Sequence, residues 1–274
     1  MKVCAIASGS SGNCVYIGHG GTHLLVDAGI SGKKIEQALF SLGTAPETLD
    51  GILITHEHSD HIQGIGVLAR RYGIPLYATA ETLCGMLKGR TNIGRIPEKQ
   101  LHEVTPEKKL LFGEIAVTPF PISHDAGKPV CYTFEADGCK AALATDLGTY
   151  DERTVAALAD AQILYLEANH DVNMLMVGTY PYYLKQRILG ERGHLSNDAA
   201  AKLVCELLHP QLRYVILAHL SKENNLPELA YETVRLELQN AVKEKELLMP
   251  ELFVANRDVP SRMVSIGEEI KLFA

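Results

Sequence analysis

Hydrophobic residues recur along the chain in short runs, and polar or glycine-containing segments separate one run from the next. Twelve of these runs are rich in β-branched and aromatic residues and have the length of strands. They are KVCAIAS (2–8), CVYIG (14–18), THLLVDAG (22–29), GILIT (51–55), PLYATA (75–80), EIAVTPFPIS (114–123), VCYTFEA (130–136), KAALATD (140–146), ILYLEA (163–168), YVILAHL (214–220), LFVAN (252–256) and MVSIG (263–267). The pattern predicts strands along the whole chain.

Four further segments have the spacing of amphipathic helices. They are residues 31–43, 60–73, 196–208 and 227–247. In the second segment Ile62, Ile65, Leu68 and Tyr72 fall on one face, and the third begins with the cap residues Ser196 and Asn197. The last segment predicts a surface helix, to which the sequence assigns no function. We find no short repeat and no low-complexity tract.

Composition narrows the classes of protein to consider. The chain has 274 residues, 46% of them hydrophobic, and no long linker, so we expect a single domain over residues 1–274. With a net charge of −7, the protein as a whole repels nucleic acid, so a polyanion would have to bind at a local basic patch. The N-terminal apolar run is too short for a signal peptide or a membrane span, so we expect a cytoplasmic protein. Six cysteines without a CxxC spacing indicate reduced thiols.

Five of the predicted strands run into a residue that can bind a metal or transfer a proton. These residues are His56, His124, Asp146, Glu167 and His219. Strands that end this way can project side chains from one edge of a sheet, where sites gather on loops held by a rigid scaffold. The sequence therefore predicts that these five residues share a site.

The densest cluster is THEHSDH, residues 55–61, directly after a predicted strand. His56 and His58 alternate along an extended backbone and point the same way, while Asp60 and His61 begin a helix that offers two more ligands. Imidazole and carboxylate suit Zn, Mn or Fe, and two ions about 3.5 to 4 Å apart can hold a hydroxide that is nucleophilic at neutral pH. We therefore predict a metal centre here.

Each of these residues also has a structural interpretation. The cluster could be a solvated loop or a helix cap. His124 and His219 could each be a histidine satisfied by a backbone partner, and Asp146 a turn residue. Against this, a carboxylate able to bridge two ions is what the histidine cluster lacks, and Asp146 would supply it.

With these motifs in order, the chain resembles the metallo-β-lactamase fold hydrolases. HEHSDH matches their HxHxDH signature, and SHD, TDLG, LAHLS and LLVDAG match the other motifs. The resemblance implies an α/β (α+β) fold, a four-layer αββα sandwich of two mixed sheets packed face to face with helices outside. It also implies a set of metal ligands: His56, His58 and His124 for one ion, Asp60, His61 and His219 for the other, with Asp146 bridging. Asp27 would support the ligand loop.

Two later segments resemble the Glu and His motifs of RNase Z-like nucleases, namely YLEANHD with Glu167 and RGHLSNDAA with His194. Phosphodiester cleavage needs a proton for the leaving oxygen, and a histidine kept cationic by a carboxylate can supply it. We predict this role for His194 held by Glu167, with Asp60 orienting or deprotonating the nucleophile. The alternative is that His194 is a loop residue and Glu167 pairs with an arginine.

The segment between these motifs, GTYPYYLKQRILGERGHLSN, mixes tyrosines with basic residues. We read it as a loop in which Tyr180, Lys185 and Arg187 contact a nucleic-acid strand, with Ser196 and Asn197 at the following helix start holding phosphates. A partly packed surface loop is the alternative. SGSSGN, residues 8–13, could offer backbone N–H groups to a phosphate or could form a plain hairpin turn.

Taken together, SGSSGN, THEHSDH, EANHD, LKQRILGERGHLSN and HLSKENN resemble the YycJ (WalJ) family of metallo-β-lactamase fold proteins. That resemblance implies a cytoplasmic 5′-to-3′ exonuclease that acts on DNA, more than on RNA, in DNA repair, with two divalent ions, Zn or Mn. The segments between the motifs are too short for the tRNA-gripping arm of RNase Z or the extra domain of β-CASP nucleases. The rivals are a hydrolase of a small ester, lactone or thioester, and a non-catalytic binding protein stabilised by metal. The oligomeric state stays open.

Overall fold

The structure is a computed structural model that describes residues 1–267. In that range fourteen strands are formed. They are β1 (Lys2–Ala7), β2 (Cys14–His19), β3 (Thr22–Val26), β4 (Gly51–Leu53), β5 (Leu76–Ala78), β6 (Leu101–Glu103), β7 (Leu110–Phe112), β8 (Ile115–Pro121), β9 (Val130–Ala136), β10 (Cys139–Ala144), β11 (Ile163–Glu167), β12 (Tyr214–Ala218), β13 (Glu251–Val254) and β14 (Val264–Ser265). All twelve predicted strands are present, and the short strands β6 and β7 are additional.

The strands form two sheets of seven, in the orders β14-β1-β2-β3-β4-β5-β6 and β13-β12-β11-β10-β9-β8-β7. Both sheets are mixed: β1 to β3 and β7 to β10 run antiparallel, and β3 to β6 and β10 to β13 run parallel. The first strand pairs with the last, with Val3 opposite Val264. This pairing of the two chain ends supports our proposal of one domain.

Alternate residues of the central strands face two different apolar layers. In β3, Leu24 and Val26 pack between the two sheets, whereas Leu25 packs against the helices outside the first sheet. In β12, Ile216 packs between the sheets and Val215 faces the helices outside the second sheet. A strand buried on both faces needs apolar residues throughout, which explains the uninterrupted runs in the sequence. The result is the predicted αββα sandwich.

Nine α-helices lie in the described residues. They are α1 (Gly32–Ser41), α2 (Ser59–Ile62), α3 (Ile65–Tyr72), α4 (Ala80–Lys88), α5 (Glu152–Leu158), α6 (Val172–Val177), α7 (Tyr182–Leu189), α8 (Asn197–Glu206) and α9 (Pro227–Glu244), with 3₁₀ turns at Pro46–Thr48 and Glu98–Gln100. The prediction missed α4, α5, α6 and α7. Three of these, α4, α5 and α6, follow an N-cap residue whose side chain accepts a backbone hydrogen bond. These residues are Thr79, Asp151 and Asp171, which are types that commonly cap helices.

The helix predicted over residues 60–73 is two helices, and Gly64 shows why. Its N–H donates to the carbonyl of Ala28 at 2.7 Å. A Cβ at this position would lie 2.2 Å from the carbonyl oxygen of Ile30, so only glycine allows the chain to approach so closely. The break between α2 and α3 therefore comes from contact with a neighbouring loop, which periodicity does not show.

Two smaller expectations concern the whole chain. All six cysteines are free thiols, as the sequence predicted. No helix within residues 1–267 combines the length and the apolar character needed to cross a membrane.

Candidate active site

The five residues predicted at strand ends meet at one edge of the sandwich. His56, His124 and Asp146 follow β4, β8 and β10, Glu167 ends β11, and His219 follows β12. All five are buried, with at most 2% of their surface exposed. With His58, Asp60, His61 and His194 they form four overlapping groups in which the potential ligand atoms lie within 4.8 Å of one another.

Three acidic or histidine residues at this edge have a left-handed backbone. The φ angles of Asp27, Asp146 and His219 are 59°, 62° and 55°. Residues other than glycine seldom adopt such angles, and where they do the surrounding structure must enforce the conformation. Each of the three directly or nearly follows a strand, so the sharp turn places its side chain in the cluster.

His56, His58 and His124 form the first ligand group. The Nε2 atom of His56 lies 3.0 Å from Nδ1 of His58, which lies 3.3 Å from Nε2 of His124. The Nδ1–H of His124 donates to the carbonyl of Gly193 at 3.1 Å, which leaves the lone pair of Nε2 for the group. Burial lowers the pKa of both His56 and His124, so both rings are held neutral, as metal ligands must be.

Asp60, His61 and His219 form the second group. The Oδ2 atom of Asp60 lies 3.5 Å from Nε2 of His61 and 3.6 Å from Nε2 of His219. Behind it, Nδ1 of His61 lies 2.7 Å from Oδ2 of Asp27, whose carboxylate also accepts bonds from the backbone N–H and hydroxyl of Thr55. Asp27 thus fixes the ring of His61 without reaching the cluster itself, as the resemblance implied.

Asp146 lies between the two groups. Its Oδ2 atom is 3.4 Å from Nε2 of His61, and its Oδ1 atom is 3.8 Å from Nε2 of His124. Oδ2 is buried without a hydrogen-bond partner among the described residues, and so is Nε2 of His219. Buried polar atoms rarely lack a hydrogen-bond partner, so a cation bound between the two groups would suit both atoms.

The carboxylates of the cluster concentrate negative charge, which favours binding of a cation. Burial by itself lowers the pKa of His219, but the carboxylates of Asp146, Asp60 and Glu167 outweigh it and raise that pKa to about 10. The pKa of His61 is likewise raised well above its usual value, against the effect of burial, by Asp27, Asp146 and Asp60. Divalent ions bound here would supply positive charge to the same carboxylates.

Glu167 and His194 form the predicted pair. The Oε1 atom of Glu167 lies 2.9 Å from Nδ1 of His194, and Asp146 Oδ1 lies 3.7 Å from the same nitrogen. Nε2 of His194 has no hydrogen-bond partner within the described part of the chain, and 16% of the side chain is exposed. The sequence did not predict that Oε1 of Glu167 would also lie 2.7 Å from Nδ1 of His219.

The segment read as a loop between these motifs contains a helix, since α7 covers Tyr182–Leu189. Its Lys185 donates from Nζ to the carbonyls of Met176 and Gly178, both at 2.7 Å, and so closes the end of α6. Arg187 instead reaches Asp125, with Nη2 at 3.0 Å from Oδ1. Asp125 Oδ1 lies 3.4 Å from Nε2 of His124, so Arg187 stands at the rim of the cluster.

The helix start at α8 differs from the prediction in one residue. Ser196 caps the helix by accepting from the N–H of Ala199 at 3.2 Å. Asn197 is fully buried, and its amide pairs with that of Asn225, with Nδ2 at 3.0 Å from Oδ1. The predicted substrate contact is therefore wrong for Asn197, because a phosphate in solvent does not reach it. Tyr180 is half-buried, and its substrate contact stays a prediction.

The sequence did not predict the contacts that three polar residues make at the site. Asn13 lies with Nδ2 3.1 Å from Nε2 of His61, and Asp125 lies beside His124. The guanidinium of Arg192 donates twice to the carbonyl of His124, at 3.0 and 2.9 Å, and so holds that loop. The available signal was position: Asn13 closes the SGSSGN motif, and Asp125 is the last residue of SHD.

Comparisons with known proteins agree with this geometry. Residues 22–219 match the family model described as the beta-lactamase superfamily domain. The chain is 45% identical over 241 residues to exodeoxyribonuclease WalJ of Streptococcus pneumoniae, covering 88% of this chain and 89% of that protein. It is 40% identical over 253 residues to exodeoxyribonuclease YycJ of Bacillus anthracis, covering 92% and 93%.

Solved structures share the fold at lower identity. Zn²⁺-bound PqqB from Methylobacterium extorquens superposes with a TM-score of 0.70 at 16% identity, covering 97% of this chain and 100% of that chain. The short form of human tRNase Z superposes with a TM-score of 0.65 at 16% identity, covering 98% and 100%. At such identities the likeness establishes the sandwich architecture, and the chemistry rests on the site itself.

Proposed function

The chain belongs to the beta-lactamase superfamily and, within it, to the family of the WalJ and YycJ exodeoxyribonucleases, and from this we propose that it is a metal-dependent exonuclease that hydrolyses DNA. The observation that carries the proposal is the hydrogen-bonded pair of Glu167 and His194. Nδ1 of His194 lies 3.7 Å from Oδ1 of Asp146 in the ligand cluster. A proton donor next to a nucleophile site is what phosphodiester cleavage requires.

We propose two divalent ions, Zn or Mn, held by the groups described above. The ligands would be His56, His58 and His124 for one ion and Asp60, His61 and His219 for the other, with Asp146 shared. Bound there, the ions would supply an activated water at neutral pH and neutralise the charge that builds on the phosphoryl oxygens. The unpartnered Oδ2 of Asp146 and Nε2 of His219 support this occupancy.

The chain's own groups would move the protons. The Oδ2 of Asp60 faces the space shared by His61 and His219, from which it would orient the attacking water and accept its proton. His194, whose Nδ1 is engaged by Glu167, would donate from Nε2 to the leaving oxygen. His194 is partly open to solvent, with 16% of its side chain exposed, so a substrate can reach it.

Helix α7 would contact the strand that carries the scissile bond. Tyr182 and Tyr183 each expose 75% of their surface on this helix, and Tyr183 precedes Arg187 by four residues, about one turn. Aromatic rings stack on bases and guanidinium groups pair with phosphates, independent of base sequence. We keep Tyr180, Lys185 and Ser196 as candidate contacts, with Arg187 as the strongest of the set because of its position.

We further propose 5′-to-3′ polarity, a role in DNA repair and a location in the cytoplasm. These three statements rest on the family resemblance of the motifs; the names of the two relatives support only the exodeoxyribonuclease activity.

The decisive experiment is the cleavage of DNA labelled at the 5′ or the 3′ end, duplex and single-stranded, with added Mn²⁺ or Zn²⁺. Wild type should release labelled mononucleotide at once from the 5′-labelled substrate and shorten the 3′-labelled substrate progressively. Asp60→Ala and His194→Ala should abolish this. His102→Ala, which removes an exposed histidine on the first sheet, is the matched control and should cleave like wild type.

Each alternative function predicts a different result in this assay. DNA left intact with every ion, together with steady hydrolysis of a thioester or lactone, would replace the proposal with a small-ester hydrolase. Tightly bound ions without any hydrolysis would indicate the metal-stabilised binding protein, in which a closed coordination sphere leaves no position for water. Release of label first from the 3′-labelled substrate would retain the nuclease and reverse its polarity.

A further inference from the structure

The loop Ser8–Asn13 is tied to the second ligand group at both ends. The hydroxyl of Ser8 accepts a bond from the backbone N–H of His219 at 2.9 Å. At the other end, Nδ2 of Asn13 lies 3.4 Å from Oδ2 of Asp60 and 3.1 Å from Nε2 of His61. The loop therefore borders the cluster on the side of Asp60, His61 and His219.

The middle of this loop offers unused donors. Ser10 and Ser11 are exposed, and within residues 1–267 neither their backbone N–H groups nor their hydroxyls have a hydrogen-bond partner. The turn around them is closed by the N–H of Gly12, which donates to the carbonyl of Gly9 at 2.9 Å. Successive free N–H groups in a glycine-containing turn form a concavity that suits anions.

A half-buried cation, Arg257, lies against the loop. Arg257 donates from Nη2 to the carbonyl of Leu220 at 2.7 Å, whereas its Nη1 is buried without a partner in the described part of the chain. A Cβ at Gly9 would lie 2.6 Å from that Nη1, so the loop backbone and the guanidinium are in close contact, and the φ of 136° at Gly9 is one that other residues rarely adopt.

The charge of Arg257 is not neutralised by a neighbour. No carboxylate of the described residues lies within 4.0 Å of its nitrogens, although the net charge of the chain is −7. A guanidinium that lacks a carboxylate partner and lies next to free N–H groups adds to the positive potential that attracts an anion. Ser10 and Ser11, with their free donors, directly follow Gly9, which lies against this guanidinium.

We propose that the Ser8–Asn13 loop, backed by Arg257, binds a phosphate of the substrate strand that neighbours the scissile phosphate. The inference rests on the proposed nuclease function, which it deepens by assigning a second phosphate site next to Asp60 and His61. The phosphate is either the terminal phosphomonoester of the strand or the next internal phosphodiester. Both present the same oxygens to the loop.

Three variants test the proposal. Arg257→Met removes the charge and keeps the length of the side chain, Arg257→Lys keeps the charge, and Arg262→Met is the matched control. Arg262 follows on the same segment, is half exposed and pairs with Glu251, so its replacement also removes one positive charge from the protein. Thermal unfolding of each variant confirms that it is folded.

Two substrates separate the loop from the metal centre. Bis(p-nitrophenyl) phosphate has a single phosphodiester and no neighbouring phosphate, whereas a 5′-phosphorylated oligonucleotide has both. We expect Arg257→Met to raise KM for the oligonucleotide about 10- to 100-fold, the usual effect of losing a charged contact, and to change kcat/KM for the small diester less than about twofold. Arg257→Lys should restore most of the loss, and Arg262→Met should show none.

Chemical changes to the substrate identify which phosphate is bound. If the terminal phosphate occupies the loop, a 5′-hydroxyl oligonucleotide should reproduce the loss in wild type, and Arg257→Met should add nothing to it. If the internal diester occupies the loop, a methylphosphonate at that linkage should do so instead.

Binding provides a measurement that does not depend on cleavage. In EDTA, the affinity for a fluorescent oligonucleotide, followed by anisotropy, should fall in Arg257→Met, and its dependence on salt should weaken by about one contact. An equal loss on both substrates, or unchanged oligonucleotide affinity and KM, would overturn the inference. Wild type that hydrolyses only the small diester would refute the nuclease proposal, while the anisotropy result would still decide the loop.

Discussion

The Oε1 atom of Glu167 lies 2.9 Å from Nδ1 of His194. The same oxygen lies 2.7 Å from Nδ1 of His219, and the second carboxylate oxygen accepts from the N–H groups of Leu147 and Leu195, both at 3.0 Å. Burial by itself raises the pKa of Glu167, but His194 and His219 hold it well below its usual range. One ionised carboxylate therefore orients both the proposed acid and a proposed metal ligand.

The first prediction separates proton donation from metal binding. His194→Gln should retain the metal content of wild type and lower kcat on DNA about 10²- to 10⁴-fold, the usual contribution of a general acid. On bis(p-nitrophenyl) phosphate the loss should be far smaller, because p-nitrophenolate leaves without a proton. Metal analysis and kcat on both substrates check this. Loss of metal, or equal losses on both substrates, would show that His194 is a ligand and not an acid.

Glu167→Gln should give a different pattern, since Glu167 serves two rings. The amide can still accept from the two backbone N–H groups, but it loses the negative charge that holds His194 and His219. We expect turnover to fall and metal affinity to weaken about 10- to 100-fold, as for other residues that orient a metal ligand. Competition with a chelator measures the affinity. Unchanged affinity together with lost turnover would mean that Glu167 acts through His194 alone.

The strand ends explain why many of the site residues could be predicted from the sequence. His124, Asp146 and His219 follow strands of five to seven residues, and His56 follows the wholly apolar run GILI, so both the strands and their ends can be recognised. β6 and β7 have three residues each and include exposed positions, and nothing in their composition marks them as strands. The αββα layers followed from the resemblance of the motifs.

Other parts of the site depend on contacts that the sequence does not encode locally. Arg257 lies far along the chain from Gly9, and only the fold brings its guanidinium beneath that residue. The second bond of Glu167 likewise depends on the pairing of β11 with β12, which places Glu167 opposite Ala218 and next to His219. Asn197 is polar and lies at a helix start, as a phosphate contact would, but its side chain is turned inward toward Asn225.

The third prediction concerns His170, a buried histidine behind the site. It exposes 1% of its surface, and neither ring nitrogen has a hydrogen-bond partner in the described residues. Burial lowers its pKa to about 4. Below its ordinary pKa of about 6.5 the unfolded chain binds this proton and the folded chain does not, so the free energy of unfolding should fall by about 1.4 kcal/mol per pH unit down to about pH 4.

Urea unfolding of wild type and His170→Asn in EDTA, between pH 4.5 and 7.5, isolates this effect. Other titrating groups contribute equally to both proteins and cancel in the difference between their unfolding free energies. We expect wild type to lose stability relative to the variant as the pH falls below about 6.5. A difference that stays constant over this range would show that the ring takes up its proton in the folded protein.

The last prediction concerns Gly29, on which the geometry of the Asp60 turn depends. A Cβ at Gly29 would lie 1.6 Å from the carbonyl oxygen of Asp60 and 2.7 Å from the backbone nitrogen of Asn13. These two atoms are hydrogen-bonded to each other at 2.8 Å, so neither can move aside as a flexible side chain would. Gly29→Ala should therefore displace the turn that carries Asp60 and His61 and lower the free energy of unfolding by at least about 2 kcal/mol.

Gly21→Ala is the matched control, because an added Cβ there meets no atom within 4 Å. Its unfolding free energy should stay within about 0.5 kcal/mol of wild type, with unchanged metal content. Gly29→Ala should also bind less metal, since Asp60 and His61 belong to the same ligand group and the turn positions both. Equal stability and metal content in the two variants would mean that the turn yields without disturbing the ligands, and that glycine at position 29 is not what places Asp60.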